Sequence, residues 1–203
     1  MLMSKIALIL YNKISAHPKD DELDVLDQVR IVSKALIQLK YKVKEYQMNL
    51  NLHKAIKEIQ NINPDFVFNL AETLDNKGEF AYMPAAILMH LNVPFSGNPL
   101  IPLFFAANKV IAKQQITRLG IKTPPWFTMD QITKLKKGKK YILKPTWEEG
   151  SLGLDEDSVF DSSDKEFIKK IAKKDKHYYF IEEFIEGREF NVSIIGTKEG
   201  PLV

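Results

Sequence analysis

The sequence predicts an α/β chain whose first half is a Rossmann-like parallel sheet and whose second half is a smaller α+β unit. Three observations carry this. KIALILY (5–11) is an unbroken apolar run, the pattern of a strand covered on both faces. Amphipathic helices then alternate with short strands, which calls for parallel pairing through right-handed crossovers. After Gly97 the alternation stops, and short strands cluster with loops rich in proline, glycine and lysine.

Each element has its own signal. Val25, Val29, Val32, Leu36 and Leu39 recur in steps of four and three, one face of a helix. Residues 42–46 form a second strand. Leu52, Ala55, Ile56 and Ile59 repeat the helical spacing until Asn63-Pro64-Asp65 breaks it ahead of FVFNL (66–70). A third helix is expected over 82–91, followed by the short run VPFSG (93–97). Asn98-Pro99 and Pro102 mark a connection, and a helix is expected over 106–119, stopped by Gly120. Thr123-Pro124-Pro125 blocks any continuation. A basic turn (134–140) leads into the strand YILKP (141–145), and Ser163-Asp164-Lys165-Glu166 matches a capping box opening a helix to about residue 174. YYFIEEF (178–184) and EFNVSIIG (189–196) read as two strands with Gly187 in the turn between them.

Composition narrows the function. The chain has 203 residues, 45% of them hydrophobic, enough for a sizeable core. With no cysteine, disulfides, thiolate metal sites and thiol nucleophiles are excluded. A net charge of +3 from 29 basic and 26 acidic residues is too small and dispersed for a nucleic-acid binder. No apolar run reaches the roughly 18–20 residues of a membrane span. MLMSKIALILYNK lacks the small-residue cleavage pattern of a signal peptide. A soluble cytoplasmic protein is therefore expected.

The chemistry-bearing residues fall in clusters. GxxxxGK[ST] and GxGxxG are both absent. Lys144 ends an apolar strand before the loop TWEEGSLG (146–153), where an ammonium, loop N–H groups and the Ser151 hydroxyl can meet a phosphate. By itself it reads more simply as an exposed strand-end lysine with an ordinary turn. Lys109 follows Asn108 at a helix start, a place compatible with anions but also with plain solvation. Glu182 and Glu183 are adjacent acids in an apolar strand, so one of them must face inward. A buried carboxylate needs donors, and an adenine amino group or ribose hydroxyl would supply them; lysines from an adjoining edge would too. Asn69, Glu72 and Glu79 follow the third strand, where such sheets present ligand loops.

Taken in order, FVFNL, PFSG, NK, TPPW, YILKPTWEEGSLGL and YFIEEFIEGREFNVSIIG resemble the ATP-grasp ligases, most closely the D-alanine–D-alanine ligase type. The resemblance covers nearly the whole chain. It implies a Rossmann-like N-terminal domain (1–97), a small central ATP-grasp domain (98–177) and the start of a C-terminal one (178–203). It further implies that Lys109 and Lys144 contact ATP phosphates, with Glu148, Gly150 and Ser151 in a loop folding over them. Glu182 would receive the adenine amino group, Phe184 and Ile185 would form the hinge with the Ile185 N–H on the purine, and Glu189 would take the ribose hydroxyls. The implied activity joins a carboxylate to an amine through an acyl phosphate, with ATP and Mg2+ as cofactors, amino-acid-type substrates and a possible homodimer.

In this family the magnesium ligands, an acid and then Glu-x-Asn, follow the second of the two last strands, and here only Pro201-Leu202-Val203 follow Gly200. The expectation is an N-terminal portion that does not turn over alone. The first strand is followed by YNKISAHPKDDELDVLDQV rather than a Gly-Gly-x-Ser-x-Glu stretch. Glu22 and Asp24 are the acids available there, and the lid has Leu152 where a second serine is usual. The substrate is thus open between D-alanine and another amine. A non-catalytic nucleotide-binding or regulatory module is the alternative, and a structural domain without nucleotide is a third.

Overall fold

The computed structural model describes residues 5–15, 17–18, 20–148, 154 and 156–202. Strand β1 (Ile6–Asn12) is the centre of a three-stranded parallel sheet, flanked by β2 (Lys42–Met48) and β3 (Phe66–Asn69) in the order β2-β1-β3. Its continuous apolar run is accounted for by two separate cores. Leu8 and Leu10 pack with Met48, Ala55, Ile59 and Leu88 on one face, while Ala7, Ile9 and Tyr11 pack with Val25, Val29 and Leu36 on the other. Alternate side chains of a strand point to opposite faces, so covering both faces makes every position apolar.

The covering helices are α1 (Asp20–Gln38), α2 (Leu52–Ile62) and α3 (Met83–His90). Asn51 caps α2 by accepting from the Lys54 N–H at 3.1 Å, and Asn63 ends it in the left-handed region at φ 47°. The run 93–97 makes one parallel bridge, Val67 with Phe95, rather than a full strand. Pro94 has no N–H to extend a ladder, and Gly97 turns the chain away at φ 92°.

The next segment departs from the expected single helix over 106–119. Two helices, α4 (Leu100–Ala107) and α5 (Lys109–Arg118), meet at Asn108, which is extended at φ −105°, ψ 107°. Pro99 and Pro102 therefore introduce a helix instead of a connection. Proline is tolerated in a first turn because its missing N–H would have had no intrahelical partner. Asn108 restarts the chain by capping α5, its side-chain oxygen accepting from the Ile111 N–H at 2.9 Å.

Beyond α5 the sheet is antiparallel: β4 (Trp126–Thr128), β5 (Lys140–Pro145), β6 (Val159–Asp161) and β7 (Tyr179–Glu183) in the order β4-β7-β5-β6. Helix α6 (Lys165–Ile171) packs on it, closing a core of Tyr141, Leu143, Phe160, Ile171 and Ile181. The cap of α6 is Asp164, one residue later than the Ser163 of the expected box. Its carboxylate accepts from the N–H groups of Glu166 and Phe167 at 3.0 and 2.9 Å, and a charged acceptor suits the positive end of a helix. Strand β7 lies inside this sheet, so residues on either side of position 177 share one layer.

The expected strand over 189–196 is replaced by irregular chain over 184–194 and a short hairpin, β8 (Ile195–Thr197) with β9 (Gly200–Leu202). The alternation Phe190, Val192, Ile194 has the right period. A strand also needs a ladder partner and a covered face, and these three side chains are 68, 63 and 64% exposed. No helix among the described residues is long and apolar enough to cross a membrane.

Candidate functional site

The site lies where the start of α5 meets the ends of β5 and β7. The Lys109 N–H donates to the Thr146 carbonyl at 3.0 Å, and the Thr146 N–H donates to the Tyr178 carbonyl at 2.8 Å. These two bonds tie the helix start and the approach to β7 onto the first residue after β5, and Thr146 itself is buried. The Lys109 ammonium reaches further along the same loop and donates to the Glu148 carbonyl. The Tyr178 hydroxyl donates to Glu148 Oε1 at 3.1 Å. Burial, reinforced by the negative Glu148 and the bond to it, pushes the Tyr178 phenol up to about 12.

Glu182 is the acid of β7 that faces inward, with a side chain 8% exposed. Register explains its company. Ile142 of β5 and Trp126 of β4 lie directly opposite Glu182, and Lys144, two residues along β5, falls on the same face at the diagonal position. Lys144 Nζ lies 2.8 Å from Glu182 Oε2. The other oxygen, Oε1, pairs with Lys113, which reaches it from α5 and also donates to Thr123 Oγ1 at 2.6 Å. Two cations on one buried carboxylate supply the donors that its burial demands.

Glu183, pointing the opposite way, meets Lys139 at 2.6 Å, and that hydrogen bond raises the Lys139 ammonium above its ordinary value. Adjacent acids on one strand thus serve two faces, as strand alternation requires.

The other expected residues are distributed around this centre. The Phe184 N–H donates to the Lys140 carbonyl at 3.0 Å, carrying the chain out of β7. Ile185 and Glu189 are exposed along the irregular stretch that follows. Gly150 and Ser151 lie outside the described residues. Asn69 works on its own loop, its side chain accepting from the Ala71 N–H at 3.2 Å, while Glu72 is exposed and Glu79 half-buried. The neighbouring Gly78 is the close contact: a Cβ there would collide with the Trp147 carbonyl oxygen. The loop after β3 is therefore seated on the root of the loop after β5, and only glycine fits.

Lys113 was not singled out by sequence reasoning. Its signal is the spacing from Lys109, since positions four apart share a helix face. Such a pair usually reads as solvated surface.

Comparison with known proteins shows what these features resemble. Residues 106–203 match the ATP-grasp domain, a span that contains Lys109, Lys113, Lys144, Glu148, Tyr178 and Glu182. A D-alanine–D-alanine ligase of Pelagibacter ubique is 32% identical over 207 aligned residues, covering 97% of this chain and 63% of that protein. Residues 106–203 thus resemble the ATP-grasp domain, and nearly the whole chain is similar to a D-alanine–D-alanine ligase. The ATP-grasp likeness extends to the D-alanine–D-alanine ligase of Aquifex aeolicus, 29% identical over 86% of this chain and 58% of the relative. In fold it extends to the D-alanine–D-alanine ligase of Bacillus anthracis complexed with ATP, with a TM-score of 0.62 at 21% identity, covering 91% of this chain and 58% of that one. The chain spans about three fifths of the length of these proteins.

Magnesium, which the resemblance implies, finds no matching donor set here. Among the described residues no three acidic or histidine side chains converge. Of the described carboxylates at the site, Glu148 is engaged by Tyr178 and Glu182 by two lysines.

Proposed function

We propose that this chain forms the nucleotide end of an ATP-dependent carboxylate–amine ligase of the D-alanine–D-alanine-like kind. The observation that carries the reading is the convergence of Lys109, Lys113 and Lys144 with Glu148 and Glu182 at one junction of α5, β5 and β7. Cations at a helix start and a strand end suit an anionic ligand, and a buried carboxylate between them suits a ligand that also carries N–H donors.

In this reading Lys109 and Lys144 hold ATP phosphates, and the 146–153 loop, with Glu148, Gly150 and Ser151, covers them. Glu182 accepts from the adenine amino group, the Ile185 N–H bonds the purine beside Phe184, and Glu189 takes the ribose. The substrate carboxylate attacks the γ-phosphorus and ADP departs, leaving an acyl phosphate. The amine then adds to the acyl carbon and inorganic phosphate leaves as the amide forms. The lysines act by neutralising and aligning the phosphates, which is most of what phosphoryl transfer asks of a protein. A covering loop keeps water from the acyl phosphate. Magnesium would supply further charge on the phosphates.

The proposed substrates are D-alanine or another small amine-bearing acid, and the proposed setting is the cytoplasm. The 203-residue chain alone is expected to bind nucleotide without completing ligation. The test is thermal unfolding with and without ATP, alongside a phosphate-release assay. A rise in melting temperature with ATP that disappears in Lys109→Ala supports the site. No rise in the unmodified chain contradicts it, and ATP-dependent phosphate release by the chain would contradict the expected lack of turnover.

A further inference from the structure

Glu182 carries two cations, one on each oxygen, and the two are not equivalent. Lys144 reaches Oε2 from the end of β5 with a side chain 29% exposed. Lys113 reaches Oε1 with a side chain 11% exposed, and a second bond to Thr123 Oγ1 fixes its ammonium. Thr123 sits just before the Pro124-Pro125 pair leading into β4, and the Pro125 carbonyl accepts from the Glu183 N–H at 2.8 Å. The anchor of Lys113 is therefore stitched to the strand that carries Glu182.

This asymmetry matters if Lys144 serves the phosphates. It must then leave Oε2, and the vacated oxygen becomes the acceptor for a ligand N–H. A carboxylate free to rotate would follow Lys144 and turn away. One pinned through Oε1 keeps Oε2 aimed at the ligand. We propose that Lys113 is a positioning residue that holds Glu182 as a fixed acceptor and so selects a purine with a 6-amino group over one with a 6-oxo group. The inference rests on the ATP-binding reading above. A 6-amino group offers an N–H to the carboxylate, whereas a 6-oxo group sets its oxygen against another acceptor. A site built around one hydrogen bond rejects the analogue that cannot make it.

The test uses ATP and inosine triphosphate, which differ in the group at position 6 and in the proton that the 6-oxo base carries on N1, titrated calorimetrically into the 203-residue chain. The unmodified chain is expected to prefer ATP by at least about tenfold. Lys113→Met is expected to weaken ATP binding by roughly tenfold or more while leaving inosine triphosphate nearly unaffected, so the preference collapses. Lys113→Arg, which keeps a cation on Oε1, is expected to retain most of it. If Lys113→Met weakens both nucleotides equally, the residue is merely structural and the proposal is overturned. If circular dichroism shows that variant unfolded, Thr123→Val decides in its place: a reduced preference supports the proposal and an unchanged one overturns it. An unmodified chain that binds ATP without preference refutes the selection by Glu182 alone. One that binds neither nucleotide refutes the ATP site and the proposal together.

Discussion

The two larger sheets each hold a strand between two neighbours, β1 in one and β7 in the other, and the two strands are used differently. In the parallel sheet, β1 gives both faces to apolar cores, and Ala7, Leu8, Ile9 and Leu10 are wholly buried. In the antiparallel sheet, β7 gives one face to a core through Ile181 and places a carboxylate on the other. A buried acid costs stability unless paired, and Lys113 and Lys144 are the pairing. The contrast separates a scaffold from a site: the first sheet is optimised for packing, the second accepts ionic groups that packing alone would not choose.

The sharpest way to break the comparison is to damage each strand in turn. Leu10→Ala in β1 is expected to cost about 2–5 kcal/mol in chemical denaturation, by lost transfer energy and a cavity, while leaving nucleotide preference unchanged in whatever chain remains folded. In β7, Glu182→Leu strands two lysines and is expected to cost about 3 kcal/mol. Adding Lys113→Met to it is expected to recover part of that loss, because a buried cation without its partner is worse than an apolar pair. Additive losses in a double-mutant cycle would show that the pair is not coupled.

A smaller effect is expected where the two regions touch. Gly78→Ala drives a methyl group into the Trp147 carbonyl and is expected to cost about 1–3 kcal/mol, with weaker ATP binding because the loop root shifts. The smallest effect belongs to Tyr178→Phe, about 1 kcal/mol, from the lost bond to Glu148. The Tyr178 phenol is raised in the fold, so its contribution is fully present below the ordinary tyrosine range and is lost as pH rises toward about 12. Ultraviolet titration is expected to lose a tyrosinate component near pH 12 in Tyr178→Phe.

Legibility in the sequence followed the same division. The parallel half could be read because periodicity reports local geometry: β1, α1 and α2 bury most of the residues their spacing singled out, Leu39 just past the end of α1 being exposed. Adjacent acids in an apolar strand likewise announced one inward carboxylate. The failures share a cause, which is dependence on something outside the segment. Pro99 and Pro102 read as breakers because their place in a first turn is set by where α4 begins. The alternation at Phe190, Val192 and Ile194 suits a strand, but no local signal reports whether a ladder partner is present. Lys113 looked like solvated surface because its carboxylate lies 69 residues away in sequence.

The central claim is that the junction of α5, β5 and β7 binds ATP through its lysines and its inward acid. Calorimetric titration of ATP into the unmodified chain and into Lys144→Met tests it most directly. The account expects saturable binding by the unmodified chain, weakened roughly tenfold or more in the variant with its fold intact. Equal affinity in the two proteins, or no binding by the unmodified chain, would contradict it.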